Sequence, residues 1–403
     1  MNSTVKDSID FFRREGYLRL FLRFLRFGML AWGGPVAQIA MIRQELVEEQ
    51  KWISRERFNR VLAVYQALPG PEAHELCVYF GMIARGRLGG FLAGLGFMLP
   101  GFVLMFALSW FYVSFGIHSS LFDAVFYGFQ AAVVALIVRA IHRIGQHALV
   151  DRWLWGIAIV AATAEFLKAH FLVSLLIAGT TYVLCQRRRY WATGIVVALF
   201  LAAVLFLESR DMTTASLWQP AAQLSGDRPS LLALFASGLS SGLLTFGGAY
   251  TVIPFLQHDA VEIGRWMTDA QFLDGLALSG ILPAPLIIFS TFVGYLGGGA
   301  LGAILLTVGI FLPAFSFTLI GHNFFERLIE NKALHGFLEG LTAGVVGLIA
   351  ATAVGLLRSA IPDLPTLGVF VVSLFVLYSW KAKAAVAVVV LTAGLMGLLL
   401  FEM

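Results

Sequence analysis

Charge is what this sequence is short of: Asp, Glu, Lys and Arg make up 13% of its 403 residues, about half the usual share of a soluble domain. A water-soluble core cannot conceal the 59% that are hydrophobic, and the mean hydropathy of +0.83 agrees. The bilayer is therefore the solvent.

Cysteine is almost missing as well. Cys77 and Cys185 lie far apart in apolar stretches, which excludes a disulfide framework and disfavours a thiolate metal site. The eight histidines come with no HExxH and no CxxC, so neither a metal nor a cofactor is expected. The basic residues form no continuous face interleaved with aromatics, and the net charge is only +4. Nucleic acid is thereby ruled out as a partner. No paired carboxylates and no Ser/His pair stand in a catalytic arrangement near an interface, so the chain is not read as an enzyme. Lys6, Arg13, Arg14, Arg19, Arg23 and Arg26 lead into no uninterrupted apolar region with a cleavage site, so the N-terminus is expected to be retained in the cytoplasm. Arg19, Arg23 and Arg26 oppose Leu20, Phe21, Phe24 and Leu25 on a helical wheel, which predicts an amphipathic helix lying against the leaflet.

What is present is a series of nearly uncharged runs: 153–167, 170–185, 192–208, 298–320, 365–380 and 384–402. Several approach the roughly 20 residues that cross a hydrocarbon core. The chain also repeats itself. Leu30-Ala31-Trp32-Gly33-Gly34 returns as Leu244-Thr245-Phe246-Gly247-Gly248, 214 residues on (247 − 33). Trp52/Trp266, Phe58/Phe272 and Leu68-Pro69-Gly70-Pro71 against Leu282-Pro283-Ala284-Pro285 keep the register. Leu99-Pro100 and Leu312-Pro313 follow after a slip of one residue. The expected division is a cytoplasmic segment 1–19, repeat one 20–142, a hydrophobic connector 143–232, repeat two 233–355 and a C-terminal extension 356–403.

Short cytoplasmic loops carry excess Lys and Arg. Repeat one has Arg43, Lys51, Arg55, Arg57, Arg60, Arg85 and Arg87 where repeat two has Arg265 among acids and the uncharged Gly298-Gly299-Ala300. Arg187-Arg188-Arg189, Lys381 and Lys383 join the basic side, leaving 209–229 on the other. The predicted fold is all-α and polytopic, with two inverted-topology repeats. Segments 27–42 and 61–84 must then enter and leave by one face, as broken or re-entrant hairpins. Gly33-Gly34-Pro35 and Pro69-Gly70-Pro71 supply the breaks, repeated by Gly247-Gly248 and by Pro283 and Pro285.

A helix that begins at membrane depth presents unpaired N–H groups and the positive end of its dipole, a site for an anion. Each end contributes only about 0.3–2 kcal/mol, so a dianion needs several, with an arginine beside them. Arg43 and Arg139 are the candidates, since a guanidinium grips an oxyanion bidentately. The competing reading is that the breaks merely allow close packing. The glycines at 86–96 and 297–302 are assigned to packing. Glu72, His74 and Glu75 open the half-helix after the second break, where repeat two has Leu286, Ile288 and Phe289. They are candidates for carrying a coupling proton.

In its Phe27–Pro35, Leu68–Pro71 and Thr245–Ala249 motifs the sequence resembles the chromate ion transporter family in its long-chain, two-repeat form. The resemblance implies a multi-pass permease of the inner (plasma) membrane that exports chromate, confers resistance and draws on the proton motive force. The residues themselves specify only a tetrahedral dianion, so sulfate uptake on the same scaffold stays open. A homodimer is compatible with the sequence, which does not specify one.

Overall fold

The computed structural model describes residues 16–115, 120–208, 229–246, 248–321, 332–380, 382 and 384–401, and every regular element among them is helical. Gly247, Lys381, Lys383 and nearly all of 209–229 lie outside the described residues.

Helix α1 (Tyr17–Met29) stops at the first glycine break and α2 (Gly34–Ile42) returns beside it, its last turns widening into a π-helix, Arg43–Glu49. Gly33 and Gly34 take φ of 89° and 78°, a region closed to most side chains. Pro35 sits in the first turn of α2, where its missing N–H is no loss. Arg26, in the last turn of α1, pairs with Glu45 of the returning π-helix, and nearer the open end Arg23 Nη1 donates to Gln50 Oε1 at 2.8 Å. The segment is a hairpin that enters and leaves by one face.

The second hairpin follows the same plan. Ser54 Oγ caps α3 (Arg55–Ala67), the chain breaks at 68–71, and α4 (Glu72–Phe115) begins with a short limb, 72–84, antiparallel to α3. Arg57 Nε donates to the Tyr79 hydroxyl at 3.0 Å, and the Phe58 and Phe80 rings stack at 6.4 Å. Arg85 (φ −142°) and Gly86 (φ 66°) then turn α4 into a long limb, 87–115. All the arginines from Arg43 to Arg87 therefore gather at the open ends of the hairpins, forming one basic face.

One expectation needs correcting. Helix α1 does not lie on the leaflet: Leu20, Phe24 and Phe27 are fully buried, and a methyl on Gly28 would sit 2.4 Å from the Phe97 carbonyl oxygen of α4. The apolar stripe faces protein, and the first hairpin begins at residue 17, not 27.

Helix α5 (Ser120–Ala148) is followed by α6 (Arg152–Phe166), α7 (Phe171–Gln186) and α8 (Tyr190–Glu208). The second half then repeats the pattern. Helix α9 (Leu231–Leu244) reaches a break, and a 3-10 turn (Ala249–Val252), α10 (Ile253–Gln257) and a second π-helix (His258–Ile263) return. Thr268 caps α11 (Asp269–Gly280), a break and a 3-10 turn (Leu286–Ile288) follow, and α12 (Phe289–Leu319) turns at Gly298-Gly299. Those two glycines have φ of −151° and 60°, the backbone of Arg85-Gly86 over again. Helices α13 (Lys332–Ala360), α14 (Leu364–Ser379) and α15 (Ala385–Phe401) complete the chain described. Of the glycines assigned to packing, Gly89, Gly90, Gly94, Gly96, Gly297, Gly298 and Gly302 would each place a methyl within 2.8 Å of a neighbouring atom. Gly86 and Gly299, at φ 66° and 60° with nothing within 4 Å, serve the turns instead. Gly28 against the Phe97 carbonyl oxygen recurs as Gly242 against that of Ile310, both at 2.4 Å. Segments containing α4, α5, α12 and α13 are long and apolar enough to cross a membrane.

Equivalent limbs of the repeats run antiparallel. Gly90 faces Leu319 and Gly94 faces Phe315, so residue number rises along one limb as it falls along the other. Gly101 approaches Ala284 while Ala314, its equivalent, approaches Gly70. Such exchanged contacts describe a pseudo-two-fold axis perpendicular to the limbs, the geometry of inverted repeats. The helix pairs that follow also exchange: α6 and α7 pack on α13, while α14 and α15 pack on α5.

Ser54 and Thr268 occupy the same position in the two halves, each an exposed N-cap. Single cysteines at these sites should react with an impermeant maleimide from opposite faces of the membrane, at a stability cost of about 1 kcal/mol for each lost cap. Labelling of both from one face would contradict the inversion.

Candidate functional site

The breaks meet. Gly70 N donates to the Thr245 carbonyl oxygen at 2.8 Å, joining the second tip of repeat one to the first tip of repeat two. Next to this joint lies a cavity of about 390 Å³. Pro35, Val36 and Ile39 of the first hairpin, Gln66 and Glu72 of the second, and Gly248, Ala249 and Tyr250 of the third contribute to its wall. The remaining wall is the last part of α5, with Ala140, Arg143, Ile144, His147 and Ala148, and Thr342 of α13. At about 30 Å³ per water, the space admits a partly hydrated oxyanion.

Its electrostatics suit one. The first turns of α2 and of the 3-10 turn at Ala249 face the cavity, and their leading N–H groups have no partner within the helix. A side chain built on Gly34 (φ 78°) or Gly248 (φ 124°) would meet nothing within 4 Å, so those glycines border open space and are required by their backbone angles. Arg143 projects into the cavity from α5, and Tyr250 is within Coulombic reach of both Arg143 and Arg139. Neither arginine makes an ion pair among the described residues. His147 Nδ1 lies 2.8 Å from the Arg143 carbonyl oxygen, which orients the ring beside the same wall.

The expected residues divide accordingly. Gly248 and Pro35 are on the cavity wall, with Gly33 and Gly34 holding the turn just before Pro35. Pro69, Gly70 and Pro71 form the joint behind it, and Gly70 spends its N–H on Thr245 instead of on a ligand. Pro283 and Pro285 are not on the cavity wall; the fourth break closes on itself through Ala284 N to Leu282 O (2.9 Å) and Ser279 Oγ to Leu286 O (3.1 Å). Gly247 lies outside the described residues. Arg43 must be corrected. Its Nε is 3.2 Å from Glu48 Oε1 on the basic face, and the Arg55 hydrogen bond, aided by Arg43, holds the Glu48 carboxyl below its usual range. The π-helix carries Arg43 away from the tips. Arg139 stands one turn behind Arg143, which takes the place expected for it.

Glu72 is 7% exposed, while His74 and Glu75 are fully buried. Glu72 Oε2, both Glu75 oxygens and both His74 nitrogens have no geometrically sound hydrogen-bond partner; the nearby polar group for the imidazole is the Gly94 carbonyl. The imidazole is held edge-on by Phe311 and Phe315 of the other repeat, at 5.0 and 4.6 Å, and Glu75 packs against Gly70. Such groups are costly at membrane depth and mark function by default. No set of three metal-ligating side chains occurs among the described residues.

Sequence reasoning overlooked Arg143 as the residue on the wall, along with His147, Gln66 and Tyr250. It also overlooked Asp274, 5% exposed, which accepts from the Tyr112 hydroxyl at 2.7 Å and Gln130 Nε2 at 2.8 Å. A lone carboxylate inside an apolar run was the available signal for Asp274. Nothing in the sequence marked Gln66 or Tyr250.

A charge-assisted hydrogen bond contributes about 1.5–3 kcal/mol, so Arg143→Gln should weaken oxyanion binding by about 10- to 100-fold, while Arg43→Gln leaves it unchanged. Titration calorimetry on the purified variants decides; equal losses would place the site elsewhere. Gly248→Leu should still reach the membrane yet lose binding, since its side chain enters the cavity, and Gly34→Leu should lose binding because leucine strains the turn at φ 78° and displaces Pro35 and Val36 from the wall.

Comparison with known proteins places this geometry in context. A family model described as "Chromate transporter" matches residues 18–207 and again 232–398. A chromate transport protein of Pseudomonas aeruginosa is 56% identical over 96% of this chain and 92% of its own length. A chromate transport protein of Cupriavidus metallidurans is 31% identical over 96% and 93%. An uncharacterised transporter of Methanocaldococcus jannaschii is 27% identical over 99% and 98%. No solved structure matches.

Proposed function

Because the chain belongs to the chromate transporter family, we propose that it is a multi-pass permease of the plasma membrane that carries chromate outward and confers resistance to it. The single observation that carries this reading is the cavity where three backbone breaks, Arg143 and His147 converge. Backbone N–H groups and one guanidinium recognise a tetrahedral dianion without the full ion pair that would trap it.

Direction follows from sidedness. The open ends of the first two hairpins bear Arg43, Arg55, Arg57, Arg60, Arg85 and Arg87, and the positive-inside bias assigns that face to the cytoplasm. Helix α5 leads to the same face, so a cavity walled by its residues 140–148 loads from the cytoplasm. The pseudo-two-fold axis then supplies the alternative state, in which the second pair of hairpins rearranges and the site faces outward. Glu72, on the wall, competes with the anion for the same space when ionised. Protonation of Glu72 or of the neighbouring Glu75, with His74 alongside, is the proposed link to the proton motive force.

The repeats on this reading extend further than the connector and extension suggest. Asp151 caps α6 through Trp153 N and Leu154 N, and Asp363 caps α14 through Thr366 N. The exchanged helix pairs α6–α7 and α14–α15 are then equivalents that brace each half against the other.

The test is transport. Cells expressing the protein should accumulate several-fold less radiolabelled chromate than empty-vector cells and survive higher doses, with excess sulfate competing weakly. Glu72→Gln should keep anion binding but lose the dependence of export on external pH. Higher chromate content together with faster sulfate entry would make the protein an oxyanion importer.

A further inference from the structure

Away from the transport cavity, a second cavity of about 270 Å³ lies between α6, α7 and α8. Helix α8 packs chiefly on these two neighbours: near its start Tyr190 stacks on Trp153 and Thr193 Oγ1 lies 3.6 Å from Cys185 Sγ, and at its far end Phe200 and Val204 close on Ala164 and Ala169. Between these two contacts α8 stands off. The gap exists because Gly156 and Gly194 line it without side chains, and a Cβ on either would meet nothing within 4 Å. From Tyr190 to Phe200 the groove extends about 15 Å at 1.5 Å per residue, and apolar side chains form nearly all of its wall.

Three features mark the end near Tyr190. Arg152, Arg187, Arg188 and Arg189 are exposed there and make no ion pair among the described residues. The Trp153 and Tyr190 rings stack across the mouth at 5.2 Å with an interplanar angle of 11°, and the Arg152 guanidinium lies over Trp153 at 5.4 Å. Trp191 beside them is 72% exposed, as in an interfacial belt. Inside the groove, Thr181 is 3% exposed and its hydroxyl has no hydrogen-bond partner. That hydroxyl lies six residues of helix below Arg187, about 9 Å, where a glycerol ester would sit beneath a phosphate held at the arginines.

We propose that this groove is a binding site for one anionic phospholipid. An acyl chain fills the space opposite Gly156 and Gly194, Thr181 donates to an ester carbonyl, and the phosphate lies among Arg152 and Arg187–Arg189. Positive-inside topology accounts for three arginines in a loop. It does not account for a groove beneath them that holds an unpartnered buried hydroxyl. A basic pocket between transmembrane helices at a membrane surface is a setting in which anionic headgroups are held. The proposal is independent of what the transport cavity carries.

Native mass spectrometry of the full-length protein in detergent, with phosphatidylglycerol and phosphatidylcholine of matched chains in competition, tests it. The protein should retain one phosphatidylglycerol with at least about tenfold preference, the scale set by a few basic residues at an anionic headgroup. Changing Arg187, Arg188 and Arg189 together to Gln should abolish the preference, and changing them to Lys should keep most of it. Gly194→Phe should reduce retention of both lipids, and Thr181→Val should weaken phosphatidylglycerol several-fold; each variant is checked for unchanged elution and thermal midpoint. Equal retention of the two lipids by the unmodified protein would overturn the proposal. So would an undiminished preference in the Gln variant, displacement of the lipid by soluble glycerol phosphate, or loss of the lipid whenever two copies of the chain associate.

Discussion

A backbone that breaks inside a membrane leaves N–H and carbonyl groups that water cannot reach, and each one unsatisfied costs several kcal/mol. The structure meets this constraint by bringing its breaks together. The 2.8 Å hydrogen bond from Gly70 N to the Thr245 carbonyl lets one repeat answer the polar group of the other, and Gln38 Nε2 does the same within the first hairpin for the Ala31 carbonyl, at 3.0 Å. The short helices, the paired π-turns and the antiparallel arrangement of equivalent limbs all serve to deliver the tips to this junction. What the junction does not satisfy internally, the leading N–H groups of α2 and of the turn at Ala249, is what we propose meets the anion.

The two halves share a backbone plan and differ in chemistry. At the fourth break, Ala284 and Ser279 close the loop with local hydrogen bonds, and Leu286, Ile288 and Phe289 follow. At the second, Glu72, His74 and Glu75 occupy the equivalent turns and leave polar atoms without partners. One half therefore supplies the titratable groups, and the other the phenyl rings of Phe311 and Phe315 that enclose the imidazole. Inverted symmetry gives two interchangeable frames. The asymmetry sets which groups are available for the proposed proton coupling, and among the described residues the arginine on the cavity wall, Arg143, comes from α5.

Much of this was legible in the sequence because backbone breaks depend on residue type. Gly33-Gly34-Pro35 and Leu68–Pro71 demand departures from helix wherever they sit; their recurrence at Gly248 and Pro283 announced two halves, and the one-sided placement of the arginines announced their inversion. Side-chain destinations were less legible. Arg43 and Arg143 look alike in sequence, each a basic residue at the end of an apolar run. A widened π-turn directs one to Glu48, and only the packing of α5 against the tips places the other on the cavity wall. The same limit applied to α1, whose amphipathic pattern reads equally well against lipid or against the long limb of α4. Asp274 is the further case: its partners Tyr112 and Gln130 lie 162 and 144 residues away in sequence, beyond any local motif.

The most direct test of the account is to locate the anion. In a structure of the protein with chromate, the anomalous signal of chromium should mark one site between the Gly34 and Gly248 breaks and within hydrogen-bond reach of Arg143. That site should empty in Arg143→Gln and persist in Arg43→Gln. Chromium bound among the arginines of the basic face, with the cavity at the tips vacant at saturating chromate, would contradict the claim that the converging breaks form the transport site.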